Sequence, residues 1–184
     1  MYNEKSKLIL SEIQNAMGKI DPEAVNKLVD AIQDADTVFL CGVGRVLVSL
    51  QAFCKRLNHL GIKAFWVGEI NEPAATKNSL LIVGSGSGES ICPVALVKKA
   101  SSLGVKIAHI GSNPESTMKE YTDIFVRIPV KTKLNLPDEI NSAQIMSSLF
   151  EQCLYILGDT IGLMLAEKGN IDIKELWQYH ANLE

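Results

Sequence analysis

The chain lacks the marks of a nucleic-acid surface, a membrane span or a disulfide scaffold. Its 18 Lys and Arg residues are outnumbered by 21 Asp and Glu, for a net charge of −3. It therefore has no basic excess of the kind a nucleic-acid surface requires. No uninterrupted apolar run reaches the roughly 18–20 residues of a membrane helix. Met1 to Lys7 is polar and has no apolar signal-peptide core. The four cysteines, Cys41, Cys54, Cys92 and Cys153, are widely spaced and sit mostly in apolar runs. They read as buried thiols in a reducing compartment, not as a disulfide or zinc framework, and the cytoplasm is the expected location. No His/Glu/Asp cluster with metal-ligand spacing stands out. Internal repeats and low-complexity segments are absent.

What is present fits one soluble domain. A chain of 184 residues, 47% hydrophobic and 21% charged, is large enough to bury about 70% of its unfolded surface. Helical and strand patterns alternate along it. Lys5 to Met17 carries Ile9, Ile13 and Ala16 at helical spacing. Asp21-Pro22 is a capped helix start, and Val25, Leu28, Val29 and Ile32 form the face that follows. Thr37 to Cys41 is an apolar run without alternation, as expected of a strand buried on both faces of a parallel sheet. Helix 46–60, strand 63–67, strand 79–83, helix 91–103, strand 105–110, a short helix 114–121 and strand 123–128 complete the core. Residues 129–141, with two prolines, read as an irregular lid or crossover. Residues 142–168 read as a long helix too apolar for a single buried side, hence a candidate contact with another subunit. Asp172 caps a last helix, Ile173 to about Ala181. The expected fold is α/β: a five-stranded parallel sheet with helices on both faces, a Rossmann- or flavodoxin-like three-layer sandwich.

The chemistry is concentrated at Ser85-Gly86-Ser87-Gly88-Glu89-Ser90, between the apolar run 80–84 and the helix starting at Ile91. Hydroxyls and unpaired backbone N–H groups at a helix N-terminus form an anion site. The loop has no lysine, which excludes the Walker type. Ser85, Ser87 and Ser90 are the expected phosphate ligands, with the N–H groups of Gly86, Gly88 and Glu89 assisting. A second glycine turn, Gly42-Val43-Gly44-Arg45, ends the first strand. Ligands of such sheets bind beyond the strands' carboxyl ends, so the two loops should be neighbours. Gly44 and Arg45 then belong to the same site, and Arg45 can pair with an anion or polarise a carbonyl.

These stretches, together with Arg56-Leu57-Asn58-His59-Leu60-Gly61, Val67-Gly68-Glu69 with Pro73, and the tail His180-Ala181-Asn182-Leu183-Glu184, resemble the sugar-isomerase (SIS) domain family. The tail and the single-domain length resemble its hexuloisomerase branch. The resemblance spans nearly the whole chain. It implies a single SIS domain over 1–184 and a phosphorylated sugar as ligand. The activity it implies is the interconversion of 3-hexulose 6-phosphate and fructose 6-phosphate through an enediol, with no cofactor and no metal. It also implies a homotetramer or dimer. Glu151, on the long helix, matches the family's base. His180 and His59 are further titratable candidates, His180 by reaching a neighbouring subunit's site. His109 reads as a packed core residue, Glu69 as a weaker site candidate, and Trp66 and Trp177 as packing residues. One departure stands out: Val46 occupies the place after the turn's arginine where serine is usual, a lost hydroxyl contact of about 1 kcal/mol or more. Two alternatives stay open, a non-catalytic phosphosugar-binding module and an isomerase of another sugar phosphate.

Overall fold

The computed structural model describes every residue except Ile173 and Glu184. Helices α1 (Tyr2–Met17) and α2 (Pro22–Asp34) precede strand β1 (Thr37–Cys41). Then follow α3 (Gly44–His59), β2 (Ala64–Trp66), β3 (Ser79–Gly84), α4 (Ile91–Ser102) and β4 (Lys106–Gly111). A 3₁₀ turn (Thr117–Tyr121), β5 (Ile124–Arg127), α5 (Ser148–Lys168) and a second 3₁₀ turn (Glu175–Tyr179) complete the chain. The five strands are parallel, in the order β2-β1-β3-β4-β5.

The apolar runs explain the sheet. Val38, Leu40, Leu80, Ile82, Ala108 and Ile110 point to one side, where they form a single core with α2, α3 and α5. Their neighbours Phe39, Cys41, Leu81, Val83 and Ile107 point to the other, against Val97 of α4 and Met118 of the first 3₁₀ turn. Side chains alternate between the faces of a strand, so a strand apolar at every position must be covered twice. The three-layer sandwich follows.

Helix α5 is long and apolar enough to cross a bilayer by length and composition alone, more than the uninterrupted runs convey. Eleven of its residues are buried. It packs most extensively on α3, where Gly158 lets the two backbones approach: a Cβ there would lie 3.0 Å from Cβ of Phe53. Tyr155, Ile156 and Leu163 remain exposed on its outer face.

α5 starts six residues later than the pattern predicts. Glu12 of α1 accepts hydrogen bonds from Ser142 Oγ (2.6 Å), Ala143 N (2.8 Å) and Gln144 Nε2 (3.0 Å). Met146 then takes a positive φ of 54°, which a helix does not accommodate. The expected last helix is a 3₁₀ turn, and its expected first residue, Ile173, lies outside the described residues. So does Glu184, the last residue of the tail. Cys41, Cys54 and Cys153 are buried, but Cys92, in the first turn of α4, is exposed.

Candidate functional site

The chain runs from β1 outward to β2, then returns to place β3 on the other side of β1. β1 and β3 pair directly, with Cys41 opposite Val83, so the loops at their carboxyl ends diverge from neighbouring points. That divergence opens a crevice of the kind in which open α/β sheets bind ligands. Here it is a cavity of about 290 Å³, lined by Gly44 and Arg45 from the first turn, Ser85, Gly86, Ser87 and Ser90 from the second, and Glu151 and Phe150 from α5.

The 84–90 loop is braced from behind. Ser85 N donates to Ile110 O (3.0 Å), and the Ser85 carbonyl lies 3.0 Å from His109 Nε2. A carbonyl can only accept, so that nitrogen carries the proton. Ser112 N and Asn113 N donate to Gly86 O, and Asn113 Nδ2 donates to Ser87 O. The loop's carbonyls are thus drawn away from the cavity. Gly88 N donates to Ser85 Oγ (3.1 Å), and Glu89 N to Ser87 Oγ (3.3 Å). These two N–H groups, expected to face the ligand, instead orient the hydroxyls and leave each O–H proton available. Ser90 is the N-cap residue of α4, yet its hydroxyl makes no capping bond. The N–H groups of Gly86, Ser87 and Ser90 have no acceptor among the described residues. This is an unfilled set of donors at a helix start, suited to a tetrahedral anion.

Glu151 forms the opposite wall. It lies in the first turn of α5, where the helix dipole favours a negative charge, and is only 8% exposed. Its carboxylate accepts from Arg45 Nε and from Ser147 Oγ (3.1 Å). Ser49 Oγ donates to the Glu151 carbonyl (3.0 Å), which locks α3 against the start of α5. Arg45 begins α3, where the dipole disfavours a cation. The Glu151 ion pair compensates for this while most of the Arg45 side chain stays exposed.

The remaining predicted residues lie elsewhere. Gly88 and Glu89 do not line the cavity. Gly88 backs onto Ser116. Glu89 turns its carboxylate to Thr117 N and Thr117 Oγ1, both at 2.7 Å, and those bonds hold it below the usual carboxylate range. His59 and His180 stack on each other, ring centroids 5.6 Å apart, in a separate pocket with Trp177. His59 lies fourteen residues beyond Arg45 on α3, about 21 Å along the axis, so in one chain neither histidine meets Glu151. Burial, reinforced by Lys55, Arg56 and His180, lowers the His59 pKa. Glu69 is also absent from the cavity lining. Val46 does line it, and its Cγ1 would sit 2.9 Å from a Cβ on Gly84. Thr132, Lys133 and Ser147 line the cavity without having been predicted. Among the described residues, no group of three or more His, Cys, Asp or Glu side chains is placed to hold a metal.

The SIS domain family model matches residues 31–156, which includes both glycine turns and Glu151. The chain belongs to the SIS domain family. Within it, the chain is 36% identical to a 3-hexulose-6-phosphate isomerase of Bacillus subtilis, over 96% of this chain and 95% of that protein. It is 34% identical to a 3-hexulose-6-phosphate isomerase of Mycobacterium gastri, over 96% of this chain and 88% of that one. Among solved structures, it is similar to a hypothetical protein of Methanococcus jannaschii inferred to have the molecular function of a 3-hexulose-6-phosphate isomerase. The identity is 29% and the TM-score 0.83, over 98% of this chain and 99% of that chain.

Proposed function

We propose that this SIS domain is a sugar-phosphate isomerase that interconverts 3-hexulose 6-phosphate and fructose 6-phosphate. The observation that carries the reading is a buried carboxylate, Glu151, on the wall of the cavity that the Ser85–Ser90 loop also lines. The names of the full-length relatives supply the substrate. In this reading Ser85, Ser87 and Ser90 and the free N–H groups hold the phosphate, which fixes the sugar chain across the cavity. Glu151 takes the proton from C3 of fructose 6-phosphate and the electrons pass through C2 to its oxygen. The oxyanion at O2 takes up the proton that O3 gives up, and the enediol then regains a proton at C2 as the carbonyl forms at C3. One carboxyl group serves both directions. Arg45, already beside Glu151, steadies the developing oxyanion. No redox cofactor enters the balance and no metal is required by it.

The exposed apolar side chains of α5, Tyr155, Ile156 and Leu163, support a homo-oligomer, dimer or tetramer. In such an assembly His59 and His180 serve a neighbouring subunit's Glu151 site. Cysteines free of disulfides support a cytoplasmic setting. Val46 favours a second reading, a phosphosugar binder without turnover, because it presents methyl groups where a hydroxyl is usual.

A coupled assay separates the two. Ribulose 5-phosphate and formaldehyde are condensed by a hexulose-phosphate synthase, the protein is added, and phosphoglucose isomerase with an NADP-linked dehydrogenase reports fructose 6-phosphate as NADPH. NADPH that depends on the added protein is expected. Binding of fructose 6-phosphate with no NADPH would favour the binder.

A further inference from the structure

The balance of charge in the cavity leaves one cation uncommitted. A phosphate monoester brings between one and two negative charges near neutral pH, whereas the hydroxyls and N–H groups of the 84–90 loop are neutral donors. Among the described residues lining the cavity, the cations are Arg45 and Lys133. Arg45 already neutralises Glu151. Lys133 forms no ion pair among the described residues. Its charge nonetheless reaches the loop, contributing to the lowered pKa of Glu89.

Lys133 is not carried on a loose surface loop. Segment 129–141 is closed at its base by Ile140 N to Pro129 O (2.8 Å) and Lys131 N to Ile140 O (2.9 Å). The Arg127–Asp138 ion pair (2.7 Å) ties it to β5. At its centre the buried Glu139 carboxylate accepts from Thr132 N (3.2 Å), Thr132 Oγ1 (3.2 Å), Leu136 N (2.8 Å) and Ser112 Oγ (2.9 Å). Ser112 N in turn donates to Gly86 O. A continuous chain of bonds therefore runs from the phosphate loop through Ser112 and Glu139 to the residue before Lys133. Thr132 rests on the loop itself: a Cβ on Gly86 would lie 3.0 Å from Thr132 Cγ2.

We propose that Lys133 is the cationic phosphate ligand of this site, presented to the Ser85–Ser90 loop by a strap, residues 129–141, that Glu139 holds in position. The assignment rests on the phosphosugar reading above. It supplies the counter-charge that a Walker loop carries within itself and that this loop lacks. Lys133 contacts substrate. Glu139 is a positioning residue that acts through Thr132.

Calorimetric titration of the full chain with fructose 6-phosphate and with inorganic phosphate, alongside steady-state kinetics, tests it. Lys133 is exposed, so K133A should fold as wild type does. It is expected to bind both ligands about 10- to 100-fold more weakly, the range for a lost hydrogen bond to a charged group, with a shallower salt dependence. KM should rise with kcat within about threefold, and K133R should restore most of the affinity. E139Q should raise KM in the same direction but by less, since the amide keeps one acceptor oxygen. Wild-type protein that binds neither ligand overturns the phosphosugar reading and this assignment together. K133A that binds both ligands as tightly as wild type overturns the assignment alone.

Discussion

Replacing His109 with phenylalanine isolates one hydrogen bond behind the phosphate loop. The ring is 1% exposed, packed at 5.1 Å from Phe125, and its Nε2 lies 3.0 Å from the Ser85 carbonyl. Phenylalanine keeps the volume and removes the donor. The carbonyl retains only the 3.2 Å contact from Gly88 N. A net hydrogen bond plus partial loss of satisfaction at a buried carbonyl costs about 1–2 kcal/mol, a fall in Tm of about 2–8 °C for a chain of this size. The loss also depends on pH. Burial lowers the His109 pKa, against a smaller upward pull from the Ser85 bond. Below the unfolded imidazole value of about 6.5, the unfolded chain binds a proton that the folded chain refuses. Wild-type stability therefore falls as pH drops, by up to about 1.4 kcal/mol per unit, until the folded pKa is reached. His109→Phe lacks that increment. Thermal melts of both proteins from pH 7.5 to 5 should thus show a Tm gap that narrows, and closes or reverses, as pH falls. His59, whose pKa is also lowered, contributes equally to both and cancels. At neutral pH the variant's KM for the sugar phosphate should rise severalfold with little change in kcat. A Tm gap independent of pH, or an unchanged KM, would refute both the neutral donor and its hold on the loop.

Two further predictions concern the loop and the thiols. Gly88→Ala should lower stability by about 2 kcal/mol or more, read as a shift in urea midpoint. The position has φ +68° and its Cβ would overlap Ser116, adding a clash to the left-handed backbone cost of about 1–2 kcal/mol; an unshifted midpoint would contradict this geometry. Native protein treated with iodoacetamide at pH 8 should gain one adduct, at Cys92, by mass spectrometry. Burial pushes the thiols of Cys41 and Cys54 up to about 12 and that of Cys153 to about 11, and only thiolates react; an adduct at Cys54 without unfolding would oppose it.

The sheet was legible because burial on both faces leaves a distinct trace. Thr37–Cys41 is apolar without alternation and forms β1 as predicted, and the run before Ser85 forms β3 with Gly84 added. The two glycine turns could be placed side by side from topology alone, and β1 and β3 do pair. Ala143, Ile145 and Met146 carry the apolar character of the following helix, and nothing local reveals that Glu12, some 130 positions away, ties down Ser142, Ala143 and Gln144. Thr132 and Lys133 escaped notice because their segment has no period. They reach the cavity through the Glu139 network, which joins residues distant in sequence. His59 and His180 are singled out by resemblance, but α3 carries His59 to its opposite end from Arg45, and His180 stacks on it there, away from Glu151. His109 reads correctly as a packed core residue, while its bond to Ser85 is a tertiary contact without a sequence signature.

The most direct test of the account follows hydrogen at C3 of fructose 6-phosphate. The sugar phosphate is incubated in D₂O with wild-type protein or with Glu151→Gln, and the C3 proton is monitored by NMR as 3-hexulose 6-phosphate forms. Abstraction by a carboxylate in a solvent-connected cavity predicts loss of the C3 signal to deuterium with wild type. Both exchange and turnover should fall by about 100-fold or more in the variant, the contribution of a general base. Glu151→Gln should still bind the sugar phosphate and melt within a few degrees of wild type, because its ion pair is with a largely exposed Arg45. Turnover and C3 exchange that persist at the wild-type rate in Glu151→Gln would contradict the account.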